Sequence, residues 1–169
     1  MEFAEPTDYL GRTALIWASL RGQMVNVEEQ ISLGANVNHQ DNENRTALLL
    51  AAGRGHFEIT KLLIEKGAEV NAYDIYGWAP IMVAAELNHL SVLKLLIEKG
   101  ADVNARTSEQ RNTALIRTAW RNHTEAVKLL IDNGADVNLI GNDGVTALSL
   151  AIKNNANAVV DILKAAGAK

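Results

Sequence analysis

The dipeptide Gly-Ala returns at Gly34-Ala35, Gly67-Ala68, Gly100-Ala101, Gly134-Ala135 and Gly167-Ala168, in steps of 33, 33, 34 and 33 residues. Val-Asn follows at Val37-Asn38, Val70-Asn71, Val103-Asn104 and Val137-Asn138. A second marker keeps the same phase: Thr13-Ala14-Leu15, Thr46-Ala47-Leu48, Thr113-Ala114-Leu115 and Thr146-Ala147-Leu148, with Ala79-Pro80-Ile81 in the third place. Two markers in step along 169 residues define an array of five units. A period of this length builds a solenoid, because no unit can bury its apolar face alone and each must stack on its neighbours. The units run at about 7–38, 39–71, 72–104, 105–138 and 139–168, as one domain over 7–168. Residues 1–6 form an N-terminal tail, and its Met1-Glu2-Phe3 has the look of a cloning remnant.

Within a unit the punctuation reads as loop, helix, turn, helix. Thr13, Thr46, Thr113 and Thr146 suit N-caps, since their hydroxyls can accept from orphan backbone donors. Pro80 suits the first turn, with φ preset and no donor wasted. The short apolar helix that follows breaks near Gly22, Gly55, Asn88, Asn122 and Asn155, residue types that tolerate left-handed turns. A second helix carries Leu62-Leu63, Leu95-Leu96, Leu129-Leu130 or Ile162-Leu163 and ends at the Gly of Gly-Ala. The Asn-, Asp- and Gly-rich residues before the next Thr predict a turn or hairpin.

These residues closely resemble the ankyrin repeat, a β-turn followed by two antiparallel helices. The resemblance is best in Asp74-Ile75-Tyr76-Gly77-Trp78-Ala79-Pro80-Ile81 and in Gly55-His56-Phe57 through Val70-Asn71-Ala72. It implies an all-α ankyrin-repeat solenoid of five helix-turn-helix units joined by β-turn or hairpin loops. The sequence departs from the pattern at Ile16, Leu49, Met82, Ile116 and Ser149, which replace the His after Thr-Pro-Leu and remove a bond between units. Asn44 and Arg111 replace the loop-tip Gly kept at Gly11, Gly77 and Gly144, and the fourth loop is one residue longer. In the first unit Glu29 and Gln30 stand where later units have a Leu pair, which fits a solvent-facing cap.

Chemistry is scarce. There is no cysteine, so disulfides, thiolate nucleophiles and Cys-based zinc sites are excluded. No apolar run approaches a membrane span, and no basic, apolar leader opens the chain. His56, His89 and His123 share one repeat position and read as framework, while His39 is expected to be a solvated loop side chain. Asp102 and Asp136 recur beside the helix-ending Gly and also read as framework. No His-Glu-x-x-His, phosphate-cradling Gly-rich loop or Gly-x-Ser-x-Gly elbow is present. The expectation is no enzyme, no cofactor and no metal. The resemblance also implies that Asn38, Asn71, Asn104 and Asn138 are possible hydroxylation targets of a dioxygenase, against the simpler reading that they bond their own turns.

The resemblance places loop tips and first helices on a concave groove and second helices on the back. All eight arginines fall on the groove segments, and seven of eight lysines, all but Lys153, on the back or at the chain end. Arg21, Arg54 and Arg121 share one repeat position, a column suited to carboxylates or phosphates. Arg45 lies in the second loop. Tyr73, Ile75, Tyr76 and Trp78 form the loop entering unit three, and Trp120 lies on the open side of unit four. Tyr, Trp and Arg are the residues enriched in binding hot spots. Arg117 is odd, since its slot holds Trp17, Leu50, Val83 and Leu150 elsewhere; Glu86 is the candidate partner for its charge.

The expected function is a monomeric, cytoplasmic recognition module, with a nuclear location also open. Its groove would bind an acidic or phosphorylated segment of a protein partner. Two alternatives are a targeting piece of a larger enzyme or effector, and nucleic-acid binding along the arginine column. A net charge of −4 argues against the latter. An engineered repeat library fits less well, because the long fourth loop and irregular first unit break a uniform framework.

Overall fold

The computed structural model describes residues 6–169, so Met1-Glu2-Phe3 and most of the expected tail lie outside the described residues. Ten helices pair as α1 (Ala14–Arg21) with α2 (Met24–Ser32), α3 (Ala47–Arg54) with α4 (Phe57–Glu65), and α5 (Pro80–Glu86) with α6 (Leu90–Glu98). They continue as α7 (Ala114–Trp120) with α8 (Thr124–Asp132), and α9 (Ala147–Lys153) with α10 (Asn157–Ala165). Among the described residues there is no strand.

Each first helix starts where its cap lies. Thr13, Thr46, Thr113 and Thr146 accept from the backbone N–H three residues on, at 3.1–3.3 Å. Ala79 has no side chain to cap with, and Pro80 takes the first helical position instead. At the residue that departs from the family pattern, Ile16, Leu49, Met82 and Ile116 are buried, so packing replaces the missing hydrogen bond. Ser149 closes a reciprocal capping box with Thr146.

The turn between paired helices requires positive φ, found at Gly22, Gly55, Asn88, Asn122 and Asn155. At Gly22 and Gly55 space matters as well. A Cβ there would meet the ring of His56 at 2.7 Å or that of His89 at 2.6 Å in the following unit.

First helices pack on first helices and second helices on second helices along the whole array. Ala18, Ala51, Ala84 and Ala151, all buried, let the first-helix layer approach closely. Leu15, Leu48, Ile81, Leu115 and Leu148 are buried beside them. At about 1.5–3 kcal/mol for each large aliphatic side chain, this stack is the main stabilising term. The first unit is capped thinly: Val27 is the one buried residue of α2, and Val25 and Leu33 are exposed.

Candidate binding groove

The loops before the first helices form fingers, and an aspartate curls three of them. Asp8 Oδ1 accepts from the N–H of Leu10 and Arg12, Asp41 Oδ1 from Glu43 and Arg45, and Asp74 Oδ1 from Tyr76 and Trp78, at 2.9–3.0 Å. The 33-residue spacing of these aspartates is visible in the sequence, yet it is absent from the markers used above. In the longer fourth finger Thr107 Oγ1 takes the role and accepts from Asn112 N–H. Arg111 turns its tip with φ of 52°. Successive fingers join by one backbone bond each: Asn42 N to Leu10 O, Ile75 N to Glu43 O, Ser108 N to Tyr76 O and Asn142 N to Gln110 O, at 2.8–3.0 Å. His39 belongs to the same seam. Its Nε2 lies 2.9 Å from Gly11 O, so it is half-buried and tied to the first finger rather than solvated.

Beside these fingers lies a hub on Glu86, the last residue of α5. Its carboxylate receives both arms of Arg117, Nε at 2.9 Å and Nη2 at 2.6 Å, and Nη2 of Arg121 at 3.0 Å. Its carbonyl accepts from His123 Nε2 at 2.9 Å. Glu86 is only 8% exposed. Burial pushes its carboxyl pKa up, but the hydrogen bonds and charges of Arg117 and Arg121 outweigh that and hold it below the usual carboxylate range. The expected Glu86–Arg117 pair is therefore present, with a second arginine added.

This hub aligns a ladder. The Arg117 guanidinium stands 5.2 Å from the Trp78 ring centroid and 5.3 Å from that of Trp120, and Arg121 stands 4.5 Å from Trp120. All are within the range of a cation–π contact. Trp78 packs partly on the core, whereas Trp120, Tyr73, Ile75 and Tyr76 are exposed. Of the residues singled out in the sequence, Tyr73, Ile75, Tyr76 and Trp120 are thus open to solvent and Trp78 is partly covered.

A second arginine–tryptophan cluster lies in unit one. Arg12 is 3.8 Å and Arg21 is 4.7 Å from the Trp17 ring centroid. The Trp17 indole N–H donates to Asp8 Oδ2 at 2.8 Å, and Arg12 pairs with the same carboxylate. Desolvation pushes the Asp8 pKa up. Bonds from Arg12 backbone and guanidinium, Trp17 and Leu10 outweigh it and hold the group far below its ordinary value. Arg45 is similarly held, by Asp41 (Nη2–Oδ2 2.8 Å) and Glu43 (Nη1–Oε2 2.9 Å). Burial lowers its pKa, but Asp41, Glu43 and Asp74 together raise it above the usual arginine value.

The arginine column is therefore uneven. Arg121 is bonded to Glu86, Arg21 lies over Trp17, and Arg54 is exposed with no carboxylate partner among the described residues. Asn154 continues the column by donating to Trp120 O at 2.7 Å.

The Val-Asn asparagines reach beyond their own turns. Asn38 Nδ2 donates to Gly67 O (3.0 Å) and its Oδ1 accepts from Glu69 N–H (2.8 Å). Asn71, Asn104 and Asn138 repeat this clamp on Gly100 and Asp102, on Gly134 and Asp136, and on Gly167 and Lys169. Each amide stitches one unit to the next. Asp102 and Asp136 close the local turns, accepting from Asn104 and Asn138 N–H at 2.9 Å.

A family model described as ankyrin repeats (3 copies) matches residues 15–107 and, again, 106–169. The chain is an ankyrin-repeat protein. Repeats of this family are generally protein–protein interaction modules and are typically non-catalytic. No curated protein matches the chain. Among the described residues, no helix is long and apolar enough to cross a membrane.

Proposed function

We propose that this ankyrin-repeat chain is a non-catalytic recognition module that holds a protein segment in the groove between its fingers and first helices. The observation that carries this reading is the ladder Trp78–Arg117–Trp120–Arg121, assembled on Glu86 before any partner arrives. Large, stiff side chains already held in place lose little freedom on binding, which is how hot spots reach high contact energy. The two indoles lie at the centre, and Tyr73, Ile75 and Tyr76 extend the apolar surface along the third finger.

Acidic or phosphorylated residues of the partner fit at the edges of the ladder. Arg54 has no carboxylate partner among the described residues, and Arg121, 45% exposed, keeps donors beyond the one given to Glu86. Arg21 and Arg45 are already engaged and contribute less. Four of the eight arginines, Arg12, Arg45, Arg117 and Arg121, are bonded to carboxylates of this chain, which favours a protein partner over a nucleic-acid backbone. The Asn clamps favour a framework role for Asn38, Asn71, Asn104 and Asn138 over a regulatory one.

The test is affinity capture of a partner on the wild-type chain, followed by calorimetry of that partner on the wild type and on Trp78→Ala and Trp120→Ala. Loss of affinity with an unchanged helical circular-dichroism spectrum is expected. Unchanged affinity in both variants would overturn the assignment.

A further inference from the structure

Two hollows open along the groove on either side of Arg117. The first, of about 180 Å³, is walled by Tyr76, Trp78, Thr107, Glu109, Gln110 and Arg117. The second, of about 240 Å³, is walled by Trp120, Val145, Leu150 and Arg117 together with the polar Gln110, Asn112, Asn142 and Asp143. They are the same place in successive units. Trp78 and Asn112 each stand just before the N-cap of a first helix, and Arg117 and Leu150 are each the fourth residue of the first helix in the next unit. Helices stacked in such a layer lie about 8–10 Å apart, so the hollows repeat at that distance.

The spacing selects a backbone. A polyproline-II helix has three residues per turn and rises about 3.1 Å per residue, so residues i and i+3 lie on one face about 9.3 Å apart. A β-strand turns i and i+3 to opposite faces. An α-helix also brings side chains into line at a similar distance, seven residues apart, but its carbonyls are occupied internally.

The indoles separate these two. Trp17 donates its N–H to Asp8, whereas among the described residues the indole N–H groups of Trp78 and Trp120 have no acceptor. A polyproline-II strand leaves every carbonyl unbonded and so offers acceptors along its length. The aromatic and aliphatic part of each wall suits an apolar side chain. Arg117, the one cation shared by both hollows, is matched bidentately by Glu86; indole, phenol, Val145 and Leu150 supply the apolar wall, beside the polar rim of Thr107, Glu109, Gln110, Asn112, Asn142 and Asp143. Aromatic-lined grooves of this kind take proline-rich segments because the ligand is ordered beforehand.

We infer that the partner segment is a polyproline-II strand carrying proline or another apolar residue at two positions three apart. The first enters the Tyr76–Trp78 hollow and the second the Trp120–Leu150 hollow, while the two indoles donate to its carbonyls. This rests on the groove reading above and names the partner chemistry for it.

The experiment is selection of a phage-displayed library of random dodecapeptides on the whole chain. Individual binders are then measured as synthetic peptides by fluorescence polarisation. Enrichment of two apolar or proline residues at i and i+3 is expected. Moving them to i+2 or i+4 should weaken binding by about tenfold or more. Trp120→Ala should erase the preference at one of the two positions and Trp78→Phe should relax it at the other, while Trp17→Ala changes neither. Phe at position 78 keeps the packing and removes the N–H, so the variant remains folded. Binders that depend on Trp78 and Trp120 but show helical spacing or acidic residues alone would overturn this inference and leave the groove reading standing. Binders indifferent to both tryptophans, or no binders, would overturn both.

Discussion

Two clusters in this molecule are made of the same residues and differ in what they leave open. In unit one, Asp8, Arg12, Trp17 and Arg21 close on themselves within a short stretch of chain, and the indole N–H is consumed by Asp8. Across units three and four, Glu86 gathers Arg117 and Arg121 from the next unit and aligns Trp78 and Trp120. There the indole N–H groups have no acceptor among the described residues, and hollows lie on both sides of Arg117. Arginine and tryptophan on a groove therefore do not by themselves mark a binding centre. On the proposed reading, what distinguishes the two clusters is whether their polar atoms are already satisfied.

The comparison can be broken most sharply through affinity. Trp78→Ala or Trp120→Ala should weaken partner binding by about thirtyfold, the effect of a hot-spot loss near 2 kcal/mol, whereas Trp17→Ala should leave it within about twofold. Calorimetry on the three variants reads this directly. Next, Glu86→Gln should lower unfolding free energy in urea by about 2 kcal/mol, since charge-assisted bonds contribute about 1.5–3 kcal/mol and both arginines can still reach water. Asn71→Ala removes one clamp between units and should cost about 1 kcal/mol in the same assay. Asp8→Asn should have the smallest effect, because its cluster is local and solvent-accessible, and should not alter binding.

The pH dependence sharpens the contrast further. The folded pKa of Glu86 is lowered, so its stabilisation is full above the unfolded glutamate value, about 4.3, and is lost as pH falls through the folded value. Urea midpoints of the wild type should decline as pH drops below about 4.3, and Glu86→Gln should remove part of that slope. A variant with the wild-type slope would show that the hub carries no such linkage.

The architecture was legible because its markers recur at fixed phase: the left-handed turns at Gly and Asn in every unit, the Thr caps in four units and the Leu pairs in three. Arg117 was legible for the opposite reason, as a charge in a slot that is apolar in the other four units. What escaped depended on curvature and stacking. Asp8 meets Trp17 only because the finger curls back, and Asp41 and Asp74 were hidden in loops read by composition. His39 looked solitary in the chain, and its partner Gly11 belongs to the neighbouring finger. The Val-Asn amides bond residues 29–32 positions later, a reach that a single unit cannot show. The arginine column was visible as a spacing, but its partial neutralisation was not, because Glu86 occupies a position that is Leu20, Gly53, Trp120 or Lys153 in the other units.

Three tryptophans give three indole N–H signals in a ¹H–¹⁵N spectrum, assigned by single Trp→Phe variants. Titration with a selected peptide should move the Trp78 and Trp120 signals together and leave Trp17, held by Asp8, where it is. Movement of Trp17 with the other two unchanged would contradict the account.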